Sequence, residues 1–182
     1  MSAVSISTVN NQLTKAFGVR DQLSFTKIPH IFCAHDVPES GVTSYGTIGI
    51  SAISSRNNGK VNNIHVELVG ASYTRYRELS LGLLIIAERV ISGEWTCCPG
   101  TIFPGVLNQI HSEIYLMPPI LWDDKFRTIT IGDTQLAWLQ AIPISKSEAN
   151  FARKYGTNAL ESILEDNEID LFDLERRQVI KD

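Results

Sequence analysis

The chain has 182 residues, 43% of them hydrophobic, and carries 16 Lys and Arg against 20 Asp and Glu for a net charge of -4. That length suits a single domain over residues 1–182 with a core of ordinary size, and the negative balance predicts direct binding to neither nucleic acid nor an anionic membrane. The three cysteines (lone Cys33, adjacent Cys97 and Cys98) supply neither a disulfide framework nor a Cys-x-x-Cys pair. Met1 to Asn10 lacks the pattern of a signal peptide and no apolar run reaches membrane-spanning length, so a soluble cytoplasmic protein is expected.

Taken in order, Thr8 is placed to cap a first helix in which Val9, Leu13, Ala16 and Phe17 recur at helical spacing, with Gly18 as its stop. Leu23 to Thr26 and His30 to His35 read as short strands split by Pro29, and Asp36 to Gly41 as a turn. Thr43 to Ser51 mixes small, β-branched and glycine residues, which predicts extended backbone with close approaches at Gly46 and Gly49. A loop signature at Ser54 to Asn63 leads into the alternating strand Ile64 to Val69.

From Tyr73 to Ser92 the stripe Leu79, Leu83, Ile86 and Val90 is widened by Leu81, Leu84, Ile85 and Ala87, which predicts the most buried helix of the fold, ended by Gly93. A Pro- and Gly-punctuated passage, Trp95 to Phe103, precedes a strand at Glu113 to Met117 that Pro118 and Pro119 halt. Strands at Phe126 to Ile131 and Thr134 to Ile142 are joined by Gly132 and Asp133, a two-residue connection that suits a tight hairpin.

The second of these strands is apolar on both faces and reads as central, closed by Pro143. Ser145 and Glu148 form the spacing of a capping box, opening a helix through Ala149, Phe151, Ala152 and Tyr155 to Gly156. Asn158 and Glu161 repeat that spacing before Leu160, Ile163 and Leu164, and Asn167 marks the end. Ile169, Leu171, Phe172 and Leu174 alternate with acids, so the tail is expected to return and pack on the domain. The mixture of hairpins, strands and helices predicts an α+β fold with a largely antiparallel or mixed sheet flanked by helices, ahead of a doubly wound parallel sheet.

Catalytic signals are missing: there is no Gly-x-Ser-x-Gly, phosphate loop, dinucleotide fingerprint or His-Glu-x-x-His. Among His30, Cys33, His35 and Asp36, strand alternation puts only Cys33 and His35 on one face, so no metal site and no cofactor is expected. Cys97 and Cys98 have only His111 within twenty residues as a base. Seven acids and no base lie between Glu161 and Glu175, a run that serves either solubility or the docking of a basic partner. The candidate contact residues are therefore Glu161, Glu165, Asp166 and Glu168, with Tyr45, Trp95 and Trp122 as aromatic anchors that could equally plug the ends of the core.

Five passages together resemble the suppressor-of-fused domain family, in particular its small bacterial members. They are Gly41-Val-Thr-Ser-Tyr-Gly-Thr-Ile-Gly-Ile-Ser51, His65-Val-Glu-Leu-Val-Gly70, Cys98-Pro-Gly-Thr-Ile-Phe103, Met117-Pro-Pro-Ile-Leu-Trp122, and Trp138 to Ser145 with its following helix. Asp170-Leu-Phe-Asp-Leu-Glu-Arg-Arg177 is similar to the family's closing segment. The resemblance implies an α+β domain without enzymatic activity that binds protein. In bacteria such domains are commonly immunity proteins or antitoxins encoded beside a polymorphic toxin, often a nuclease; in animals the domain holds a short peptide of a transcription factor in a cleft. Thr101 stands where the animal pattern has an acid, and Arg89 where it has a cleft tyrosine. Two functions follow as expectations: an immunity protein that occludes a cognate toxin, as monomer or homodimer, or a regulatory scaffold that captures a short peptide of a cellular partner.

Overall fold

The computed structural model describes residues 4–19, 28–52, 56–57, 60–61 and 63–181. Helix α1 (Ile6–Phe17) is capped by Ser5, whose hydroxyl accepts the Thr8 N–H at 3.2 Å. The cap thus falls three residues before Thr8, because Ser5 has the extended backbone that a cap needs and Thr8 already lies in the first turn. Gly18 ends the helix at φ 73°, as its sequence position predicts. The strand expected at Leu23 to Thr26 lies outside the described residues.

Strands β1 (His30–His35) and β2 (Val42–Ile48) form a hairpin, β3 (Arg56–Asn57) pairs with β4 (Lys60–Val61), and β5 (Ile64–Tyr73) pairs antiparallel with β2. Because Tyr73 pairs with Val42, it belongs to β5 rather than to the next helix, and α2 runs from Glu78 to Ile91. Next come β6 (Ile102–Phe103), β7 (Glu113–Met117), β8 (Ile129–Ile131) and β9 (Thr134–Ile144). Phe126 closes a short 3-10 turn, Asp123–Phe126, instead of starting β8, since its ring is drawn into an aromatic cluster with Phe17, Trp122 and Trp138. Helices α3 (Lys146–Tyr155) and α4 (Thr157–Asp166) complete the order.

The main sheet runs β1-β2-β5-β9-β7-β6, with β8 also on β9. Only β5 and β9 run parallel among these pairs, so the sheet is mixed and largely antiparallel. β9 is central and buried on both faces, as its apolar run predicts: Leu136 and Trp138 join the core under α1, while Leu139 and Ala141 join the one under α2. Gly46 is where α1 presses on the sheet, since a Cβ there would lie 2.3 Å from a Leu13 methyl. Glu67, fully buried on β5, accepts the Thr47 hydroxyl, the Gly49 N–H and both the N–H and hydroxyl of Ser51. Burial pushes its carboxyl up against the pull of those donors.

Three further expectations are corrected. Pro143 does not close β9, which continues to Ile144. The Pro143 carbonyl accepts from Arg176 beyond the last β5 partner, Gln140, so the missing N–H falls where β5 and β9 no longer pair and no ladder bond is lost. The α4 cap is Gly156 with no side-chain bond, because Glu161 instead accepts the Tyr115 hydroxyl. And the widened α2 stripe is not buried throughout: Leu81 is 60% and Ile85 38% exposed.

The capping box is present as predicted, with Ser145 N–H to Glu148 Oε2 at 2.9 Å and Glu148 N–H to Ser145 Oγ at 3.2 Å. The tail returns onto the same carboxylate. Arg176 donates to both Glu148 oxygens at 2.9 and 2.8 Å, and the Val179 N–H donates at 3.1 Å. Further back, Leu174 is fully buried and its carbonyl accepts from His111 Nδ1 at 3.0 Å, while the Phe172 carbonyl accepts the Tyr73 N–H at 2.9 Å. Although burial alone would raise it, Glu148 is held below the usual carboxylate range by Arg176; burial and the Arg176 charge push His111 down.

Arg176→Met leaves Glu148 buried without its counter-charge and is expected to cost about 3 kcal/mol, measured by urea unfolding. Both shifts act in one direction with pH. A depressed His111 makes unfolding easier as pH falls below its ordinary 6.5, and a depressed Glu148 withdraws stability below 4.5, so below neutral pH the denaturant midpoint should fall in these two steps, against the opposing gain from the raised Glu67 carboxyl. His111→Gln should remove the first step and keep the second.

Candidate functional site

The strand partners of β9 leave one position open. β8 pairs as far as Leu136 and β7 begins at Gln140, both on the side opposite β5. A residue's N–H and C=O point to the same side of a strand, and successive residues alternate. Since the N–H of Gln135 bonds to the Asn63 carbonyl at the start of β5, the odd-numbered residues face β5 and the even-numbered ones face β7 and β8. Trp138 therefore turns its backbone N–H and C=O into the gap between them.

A cleft of about 370 Å³ occupies that gap, walled by Pro99, Pro118 and Pro119 on one side and by Phe126, Arg127 and Thr128 on the other, with Ala137, Trp138 and Leu139 as floor. The prolines offer no N–H, which leaves Trp138 as the backbone donor of the floor's open edge. The Trp138 indole Nε1 is buried and has no hydrogen-bond partner. At the rim stand Asp123 and Asp124, the latter paired with Arg127. The lining holds no Cys, His or Lys, its ionisable groups are Asp123, Asp124 and Arg127, and its shape suits an extended chain segment. A second, more polar cleft of about 460 Å³ lies between residues 105–112 and the start of α3, with Gln178 of the tail in its wall.

The aromatic candidates fall mainly inside. Tyr45 is 5% exposed and its hydroxyl donates to the Tyr76 carbonyl; Trp122 is 2% exposed and its indole donates to Ser44 Oγ at 2.9 Å. Neither ring is presented to a partner, because each satisfies its polar atom within the core. Trp95 is half-buried, stacked on Phe103 at 4.7 Å with the Arg89 guanidinium 4.6 Å from its ring.

The acidic run divides. Glu161 bonds the Tyr115 hydroxyl, and burial together with that bond pushes Tyr115 up to about 12. Asp170 accepts the Tyr73 hydroxyl, and Asp173 accepts from Tyr76 and Arg75, so these acids fasten the tail. Glu165, Asp166 and Glu168 remain exposed around the C-terminal end of α4, whose last turn holds no basic residue. The Trp138 cleft escaped the sequence reading because no local motif marks where two strands stop short of one another on a third.

The thiols and His111 do not assemble either. His111 is wholly buried beneath the tail with Nε2 4.0 Å from Glu148, and burial pushes Cys97 up to about 12, which keeps it protonated at neutral pH. Alkylation at pH 8 followed by mass spectrometry is expected to modify the exposed Cys33 and Cys98 first and Cys97 last.

Comparison with known proteins agrees with the geometry. The profile of the family described as Suppressor of fused protein (SUFU) matches residues 23–177. Immunity protein YqcF of Bacillus subtilis (strain 168) is 32% identical over 155 residues, which are 82% of this chain and 81% of that protein. Among solved structures, a putative SUFU homolog from Neisseria gonorrhoeae FA 1090 superposes with a TM-score of 0.69 at 16% identity over 97% of both chains. The Sufu-Fu complex matches with a TM-score of 0.65 at 11% identity, covering 98% of this chain and 93% of that one. The protein belongs to the suppressor of fused family.

Proposed function

We propose that this chain is a cytoplasmic immunity protein, working as one unit over residues 1–182, that binds a cognate toxin and occludes its active surface without catalysing a reaction. The observation that carries this reading is the 32% identity to a protein named for immunity, across four-fifths of both chains. The site chemistry supports it: a cleft suited to a chain segment, inert or separated thiols, and no group of three or more metal-capable side chains among the described residues. Among those residues no helix is long and apolar enough to cross a membrane.

Glu165, Asp166 and Glu168 supply the electrostatic part of the contact. Negative side chains at a helix C-terminus oppose the helix dipole, at a cost of roughly 0.3–1 kcal/mol each. Such a placement is unfavourable for folding and favourable for meeting a basic cleft of the kind that holds phosphate, as in a nuclease. A second reading, capture of a short peptide from a cellular protein, is favoured by the open backbone of Trp138, which offers one strand-like pair of hydrogen bonds to an extended segment.

The test is co-expression with neighbouring coding sequences in a sensitive host. Rescue of a lethal neighbour with a co-purifying complex supports immunity; absence of any toxic neighbour favours peptide capture. In such a complex, replacing Glu165, Asp166 and Glu168 with Gln, Asn and Gln should leave the melting midpoint unchanged or higher, while toxin affinity drops about tenfold and loses much of its salt dependence. Unaltered affinity would remove the acidic surface from the contact.

A further inference from the structure

The exposed face of α2 has a pattern that the toxin-binding reading does not use. Arg77, Leu81, Leu84 and Glu88 follow one another at spacings of four, three and four, which sets them in one stripe along the helix. Arg77, Leu81 and Glu88 are exposed and Leu84 is half-buried, while the opposite side of the helix, Leu79, Leu83, Ile86 and Ala87, is buried in the core. Ile85, 38% exposed, lies beside the stripe. An apolar centre of this kind is what a helix shows to a partner rather than to water.

The spacing four-three-four reads the same in both directions. A two-fold axis through the middle of α2, between Gly82 and Leu83, therefore sets Leu81 of one copy against Leu84 of the other and Arg77 of one against Glu88 of the other, twice over. The opposed charges sit about 16 Å apart along the helix at 1.5 Å per residue, so each reaches its counterpart across an antiparallel pair. Neither Arg77 nor Glu88 forms a salt bridge within its own chain among the described residues, whereas the neighbouring Arg89 is engaged by Glu94 and Trp95. Gly82 keeps to the core side, where a Cβ would meet Leu107 at 2.5 Å, so it does not enter the stripe. On the flank of that loop, Gln109 bonds Glu78 at 3.1 Å and Ile110 stands 56% exposed, adding apolar surface near the helix.

We infer that α2 is a homodimer interface, in which two copies of this chain pair antiparallel through Leu81, Leu84 and Ile85 and are set in register by Arg77 and Glu88 of opposite copies. A two-helix contact is small beside the 1,200 Å² or more of a stable interface, on the order of half that area, so the dimer is concentration-dependent and exchanges with monomer.

Sedimentation equilibrium of the full chain from micromolar to millimolar concentration tests this. The wild type should pass from monomer to dimer. Arg77→Glu alone and Glu88→Arg alone each place like charges opposite one another and should weaken association about tenfold or more, while the double variant R77E/E88R restores it by exchanging the partners. Leu81→Glu should leave a monomer, and circular dichroism on each variant, all at exposed positions, verifies the fold. A wild type that stays monomeric throughout overturns the inference, as does a dimer indifferent to both single reversals, which would use another face. So does a monomeric wild type whose Leu81→Glu variant loses toxin protection: α2 would then be covered by the toxin instead.

Discussion

The tertiary structure hangs on one buried carboxylate. Glu148 closes the capping box at the start of α3, receives both arms of Arg176 and accepts the Val179 N–H. Through Arg176 it reaches the Pro143 carbonyl at the end of β9. One side chain therefore joins the central strand, the helix that follows and the returning tail. A buried pair of this kind adds little net stability over an apolar substitute, but it specifies one arrangement, because every alternative leaves a charge unpaired away from water. The tail is held in place by that penalty as much as by Leu174 in the core.

From that anchor the sheet explains where backbone and apolar surface are left open. β9 is long because both faces are buried and because its proline falls where its pairing with β5 has already ended. Its neighbours on the other side are short, and the interval between β8 and β7 exposes a single residue's backbone over a floor of apolar side chains. The α2 side of the sheet is built differently. There the helix packs with Leu79, Leu83 and Ile86 while Leu81 and Ile85 remain outside, so a second apolar surface is left on the far side of the same helix. Cleft and stripe are separate features, one made by strand ends and the other by a helix face.

The local elements were legible in the sequence wherever the determining interaction is local. The Ser145 and Glu148 box, the Gly18 stop and the Gly132-Asp133 hairpin each involve residues a few positions apart, and each stands where expected. The apolar run of β9 likewise announced a strand covered on both faces. Where a distant partner competed, the local signal failed. Glu161 has capping spacing from Asn158 but is taken by Tyr115, forty-six residues away. Tyr73 follows a helical pattern but is claimed by the β2 ladder, and Phe126 is claimed by its aromatic neighbours.

The amino-acid sequence by itself determined the α+β class, most of its elements and the membership of the suppressor of fused family, because periodicity, caps and motif order are written in neighbouring residues. Only the tertiary structure decided which side chains reach the surface. Tyr45 and Trp122 carry the same chemistry as surface anchors, yet they are interior because Tyr76 and Ser44 meet their polar atoms there. Leu81 and Ile85 carry the chemistry of a core, yet they face outward because the width of the sheet beneath α2 accommodates one side of that helix and no more. Burial is a property of packing, and packing depends on contacts between residues far apart in the chain.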